Sequence, residues 1–174
     1  MRRLLAPLLA ALVLAPTSLA ASRSNVSGAQ RQSALESALV VEINAVRHLH
    51  GLKPLVSSSR LSRAAAQHTR EMGADGYFEH ESFDSTPFWK RIERWYPSKR
   101  WRSWSVGENL LYSSPDLAAS DGVKMWMNSP EHRANLLSRS WREMGISAIH
   151  FAAAPGEYDG HAVTIVTADF GVRR

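Results

Sequence analysis

Not one cysteine occurs in the chain. This absence constrains the fold more than any other feature, because the N-terminus has the make-up of an export leader. Arg2 and Arg3 precede an almost wholly apolar run from Leu4 to Leu14, and Ser18 and Ala20 put small residues at the positions a signal peptidase reads. The run is shorter than the roughly 20 residues of a membrane span, and Pro7 and Pro16 interrupt the segment. The expectation is a signal peptide over residues 1–20 and a secreted, extracellular product, with a retained N-terminal anchor as the alternative. Small exported domains are commonly stapled by disulfides. Here disulfides, thiolate metal sites and lipid attachment at a cysteine are all excluded, so the fold must hold by burial alone. The remaining chain, about 150 residues, is long enough for one domain with its own core.

Residues 21–32 are small and polar without periodicity, which predicts a flexible lead-in. A single domain is expected over residues 33–174. Leu35, Leu39, Ile43 and Val46 mark one helical face, with Ser33 as its cap and Gly51 and Pro54 as its end. Leu61, Ala64, Ala65, His68 and Met72 mark a second helix, closed by Gly73 and Gly76. His68 lies on its buried stripe, where a packed, hydrogen-bonded histidine is expected. Tyr77 to Ser105 reads as irregular, with a short helix from Phe88 to Trp95. Val106 to Tyr112 reads as a turn entering a short extended or helical element. Ala119, Val123, Trp126 and Met127 predict a helix ending at Asn128 or Ser129. Met144–Ala152 alternates in polarity and 162–167 is rich in β-branched residues, so the two are expected to pair as antiparallel strands across the turn signals Pro155-Gly156 and Asp159-Gly160.

The stretch Trp126-Met-Asn-Ser-Pro-Glu-His-Arg-Ala-Asn-Leu-Leu137 is the densest in chemistry. Ser129 and Pro130 read as the cap and first residue of a helix, which puts Glu131 and His132 in its first turn. The helix dipole favours a carboxylate there and disfavours an imidazolium. His132 is therefore expected to be neutral, able to accept a proton or to bind a metal.

In order and spacing, Asn44…Arg47…Gly51-Leu-Lys-Pro-Leu55, Tyr77-Phe-Glu-His80, Gly107-Glu-Asn-Leu110, Trp126–Leu137 and Met144-Gly-Ile146 resemble the CAP superfamily of cysteine-rich secretory, antigen 5 and pathogenesis-related 1 proteins, in its small bacterial SCP-like branch. The resemblance spans about Leu35 to Phe170. It implies an α+β fold, a three-layer α-β-α sandwich around a central antiparallel sheet. It also implies a cleft of two histidines and acidic groups, here His80, Glu108 and His132, in which some relatives hold zinc or another divalent ion. Two departures stand out. Ser129 occupies the place of a second family glutamate, leaving Glu131, two residues on, as the candidate fourth member. Arg-Ala-Asn also follows His132 where many relatives carry an aromatic-Thr-Gln run.

His80 and His132 offer two metal ligands, and Glu108 a third or a base for bound water. The chain has no H-E-x-x-H helix and no G-x-S-x-G elbow. Three readings stay open: a ligand or metal cleft, a structural polar cluster, and a catalytic site. The expected function is binding of a small extracellular ligand (a lipid, sterol or cell-wall component), with a divalent-metal-dependent hydrolase of peptide or wall substrates as the alternative.

Charge is concentrated elsewhere. Without Arg2 and Arg3 there remain nineteen Lys and Arg against sixteen Asp and Glu, yet Lys90 to Trp104 alone holds six basic residues against Glu93. They are interleaved with Trp95, Tyr96, Trp101 and Trp104. Arg94, Arg100, Arg102 and Trp101 are the candidate patch for an anionic polymer or a membrane surface; nucleic acid is not an expected partner. The alternative is a loop that tucks its tryptophans inward and solvates its arginines.

Overall fold

A computed structural model describes residues 28–174; the expected signal peptide and most of the lead-in lie outside them. Among the described residues five α-helices and five strands follow in the order β1 (Gln30–Arg31), α1 (Ser33–Leu49), β2 (Val56–Ser57), α2 (Ser59–Asp75), α3 (Phe88–Trp95), β3 (Trp104–Ser113), α4 (Ala119–Asn128), α5 (Pro130–Leu136), β4 (Glu143–Phe151) and β5 (Val163–Arg173), with a single 3-10 turn, Gly156–Tyr158, between the last two strands. The sheet runs β1-β4-β5-β3, antiparallel throughout, with β2 as a two-residue parallel addition to β4. No helix among the described residues is long and apolar enough to cross a membrane.

The period-two alternation of the strands sorts their side chains between two helical layers. Met144, Ile146 and Ala148 of β4, with Val166, Ala168 and Phe170 of β5, pack against Leu39 and Ile43 of α1, Val123 and Trp126 of α4 and Leu136 of α5. The intervening positions face α2 and α3. There Gly145 lies against the backbone of Leu61 and Ser62, Gly73 against the Phe151 ring, and Thr69 Oγ1 donates to Thr167 Oγ1 at 2.9 Å. The result is the three-layer α-β-α sandwich, built without a disulfide. Asn44 and Arg47 on α1 tie down the following loop: Asn44 exchanges two hydrogen bonds with Leu55, and buried Arg47 donates to the carbonyls of Lys53, Leu136 and Ser138.

Four local expectations are corrected. The lead-in enters the sheet at Gln30, and Arg31 is held by a bidentate pairing with buried Glu36, which also accepts the Ala148 N–H. Gln32, not Ser33, stands at the start of α1, and no side chain caps it. Val106–Tyr112 belongs to a ten-residue strand rather than a turn and a short element. Finally, β5 continues six residues beyond Thr167.

β3 is an edge strand, the position where free backbone groups invite unwanted pairing. Two side chains close it. Trp126 Nε1 donates to the Leu110 carbonyl at 2.9 Å, and Asn135 Nδ2 to the Glu108 carbonyl at 3.1 Å.

Candidate functional site

Glu108 is the centre of the polar cluster. Its position on β3 turns it toward α2 and α3, and its side chain has no exposure to solvent. A bare carboxylate in that place would be very costly. Both its oxygens are engaged. Oε1 accepts from His80 Nδ1 at 2.9 Å, and Oε2 takes an ion pair with the guanidinium of Arg91, itself fully buried. Arg91 also donates from Nη1 to the His80 carbonyl at 2.9 Å, so one side chain fixes both the acid and the backbone of its partner. His80 is the exposed end of the chain of contacts, with 46% of its side chain in solvent.

His68 comes up from α2, fully buried, and donates from Nε2 to the Glu79 carbonyl at 2.8 Å. That nitrogen is 4.0 Å from Glu108 Oε1. Its Nδ1 faces the Tyr77 hydroxyl at 3.4 Å and Glu71 Oε2 at 3.8 Å. The expected packed, bonded histidine is found, but it forms the floor of the site and holds the loop that carries His80.

Asp169 was not among the expected members. It is the cross-strand partner of Glu108 on β5, fully buried. Burial raises its pKa well above the usual range, and the charge on Glu108 raises it further. Burial also acts to raise Glu108, but the hydrogen bond from His80 and the charges of Arg91, His68 and His80 outweigh it and leave that acid below its usual value. The hydrogen bond to Glu108 raises His80 above the ordinary imidazole value, against the effect of burial. His80 is thus drawn toward the cation, against the expectation of a neutral imidazole there.

His132 stands on α5, on the opposite face of the sheet; its ring makes no hydrogen bond to His80, Glu108 or Arg91, and of these three only the charge on His80 is felt there. Its carbonyl accepts from Asn109 Nδ2 at 3.0 Å, and Asn135 Nδ2 donates to Asn109 Oδ1 at 2.9 Å, which fixes α5 against β3. Its pKa is lowered, first by burial and then by the charge on His80. These causes replace the helix-dipole argument, since α5 has only seven residues. Glu131 is exposed and has no hydrogen bond or ion pair with any described residue; it does not enter the cluster. Among the described residues no group of three or more His, Cys, Asp or Glu side chains is arranged to hold a metal ion. An open hollow of about 360 Å³, lined by Met127, Asn128, Pro130, Arg133, Ala134 and Leu137, borders α5 without touching His80 or Glu108.

The basic stretch divides. Arg91 belongs to the site. Tyr96 is buried, and Trp95 and Trp104 donate their indole N–H groups to Gln67 Oε1 and the Tyr96 carbonyl, both at 2.8 Å. Trp101 remains exposed, as do Arg94, Arg100 and Arg102.

Arg91 and Asp169 did leave a trace in the sequence. Arg91 shares the inner side of its helix with Phe88, Ile92 and Trp95, and Asp169 interrupts an otherwise buried strand. A charge on an apolar face signals a buried pair.

Comparison with known proteins agrees with this architecture. The chain is 28% identical over 135 residues to the uncharacterized protein YkwD of Bacillus subtilis (strain 168), covering 78% of this chain and 50% of YkwD. It is 28% identical over 115 residues to the uncharacterized membrane protein YlbC of the same strain, covering 66% and 32%. The chain therefore spans half or less of the length of these curated relatives. Among solved structures, an outer surface protein from Borrelia burgdorferi matches with a TM-score of 0.65 at 20% identity, over 83% of this chain and 98% of that one. An extracellular protein containing an SCP domain from Bacillus anthracis str. Ames matches with a TM-score of 0.63 at 23% identity, over 82% and 41%. Likeness at these identities shows the fold alone. The model of the cysteine-rich secretory protein family, CAP, matches residues 40–168, most of the chain, and to that family this chain belongs.

Proposed function

We propose that this is an extracellular binding protein that meets a small ligand (a lipid, sterol or cell-wall component) at the His80–His132 cleft. The observation that carries this reading is the closure of Glu108: both its oxygens are engaged by His80 and Arg91. An acid so held orients a histidine and is not free to activate water, which counts against the hydrolase alternative. His80 and His132 are the partly exposed polar groups left to meet a ligand. The extracellular setting rests on the leader-like N-terminus and on structural relatives described as extracellular or outer surface proteins.

A divalent ion has one specific observation in its favour. His80 gives its Nδ1 to a carboxylate, the arrangement that fixes an imidazole with Nε2 outward toward a metal. With His132 as a second nitrogen and no third ligand arranged among the described residues, such an ion would be weakly held. Bound there, such an ion would supply a Lewis acid at the cleft mouth.

The test is native mass spectrometry of the protein recovered from its producing cells, compared with the His80→Ala/His132→Ala variant, with circular dichroism to confirm that the fold is kept. A co-purifying adduct present on the wild type and lost from the variant is expected. The same adduct on both moves the binding site elsewhere.

A further inference from the structure

α3 has two working faces. Its inner side carries Arg91 into the Glu108 site and buries Ile92. Its outer side presents Trp89, Lys90 and Arg94, and the loop after it presents Lys99, Arg100 and Arg102. None of these five cations forms an ion pair with a described residue. Two nearby acids are hydrogen-bonded, Glu93 accepting from the Ser98 hydroxyl and Asp84 from the Thr86 N–H, while the exposed Glu79 and Glu81 flank His80. The same stretch of chain carries rings that the fold has not covered. Phe83 is 69% exposed, Trp89 41% and Trp101 47%. The Phe88 ring, next to Trp89 in the chain, lies 6.1 Å from the His80 ring, so this end of α3 stands beside His80.

We propose that the outer face of α3 and the loop to Arg102 dock on an anionic lipid bilayer and bring the His80 cleft against it. The charge is complementary to acidic headgroups, each nearby Lys or Arg adding attraction. It also disfavours a second copy of this chain, because two such surfaces repel. Cations alone would fit a soluble polyanion equally well. The exposed rings decide for a bilayer, because tryptophan gains by leaving water for the headgroup layer and a hydrated polymer offers no such layer. The arrangement is one of surface attachment, since no described helix is long and apolar enough to span.

The experiment uses the chain without its first twenty residues, which retains every described element, and sediments it with vesicles of phosphatidylcholine alone or with about 30% phosphatidylglycerol. Binding is expected only with phosphatidylglycerol, and it should fall steeply between about 20 mM and about 500 mM salt. Reversing three charges (Arg94→Glu, Arg100→Glu and Arg102→Glu together) should lower partitioning by at least about a hundredfold, since one cation is worth roughly fivefold. Brominated phosphatidylglycerol should quench the fluorescence of the wild type but not of the Trp89→Ser/Trp101→Ser variant. All these side chains are exposed, so the variants keep the fold, as circular dichroism checks. The His80→Ala/His132→Ala variant should bind vesicles as the wild type does, which separates this surface from the cleft. Equal binding to both vesicles, binding undiminished by salt or charge reversal, absence of quenching, loss of vesicle binding in the histidine variant, or binding to soluble polyphosphate with none to vesicles would each overturn the proposal.

Discussion

Glu108 and Asp169 stand opposite each other on neighbouring antiparallel strands, both shut off from solvent, and their surroundings drive their pKa values in opposite directions. The hydrogen bond from His80 and the charge on Arg91 draw Glu108 down against its burial, while burial and the charge on Glu108 push Asp169 well up. With its proton, Asp169 has a donor to offer Glu108; without it, neither of its oxygens has a hydrogen-bond partner.

Asp169→Asn should therefore stabilise the protein increasingly as pH rises. The folded wild type keeps a proton that the unfolded chain releases, so its stability declines as pH climbs from the ordinary aspartate range through the raised folded value. Asparagine cannot ionise and loses this dependence. Urea unfolding of both proteins across a pH series gives the difference directly. A difference independent of pH refutes the raised pKa of Asp169.

Arg91→Met should cost about 3–5 kcal/mol, because it strands the Glu108 carboxylate in the interior. Adding Glu108→Gln removes the stranded charge, so the double variant should be more stable than the single one. Denaturant unfolding of the wild type, both single variants and the double variant reads the coupling. Additive losses would mean that the two groups act independently.

The two site histidines should titrate on opposite sides of the ordinary imidazole value. His80 is raised by its bond to Glu108, and His132 is lowered by burial and by His80. Glu108→Gln should bring the His80 midpoint down, which imidazole NMR resonances followed against pH will report. The sign for stability follows. The His80 contribution is complete below the unfolded imidazole pKa and is lost as pH rises through the folded one. The Glu108 contribution is present above the unfolded carboxyl pKa and is lost as pH falls through its depressed folded value. An unchanged His80 midpoint in the variant would detach the pair.

Gly145→Ala should destabilise by about 1–3 kcal/mol or more, since overpacking a tight core strains the backbone. A Cβ there would sit 2.1 Å from the Ser62 nitrogen and 2.2 Å from the Leu61 carbonyl carbon, so α2 would have to lift off the sheet. Thermal unfolding measures the loss. Wild-type stability in this variant would show that α2 is not seated as described.

A good part of this protein was legible before folding. The stripes Leu35-Leu39-Ile43 and Leu61-Ala64-Ala65-Met72, the helix from Phe88 to Trp95 and the antiparallel pairing of β4 with β5 all stand where periodicity and turn residues put them. His80 and Glu108 also meet, as the resemblance implied. These features are local, or follow from short connections and recurring motifs, and backbone geometry writes them into neighbouring residues.

The composition of the site is another matter. Arg91 lies in a helix seventeen residues before Glu108, Asp169 lies sixty-one residues after it, and the packed, hydrogen-bonded His68 had no visible link to either. Only the pairing of β3 with β5, the crossing of α3 and the return of the 77–88 loop over α2 bring these charges within reach of one another. Whether each keeps or loses its proton then depends on how fully its neighbours exclude water. That exclusion belongs to the packed whole, because a buried charge is set by everything around it and not by the residues beside it in the chain.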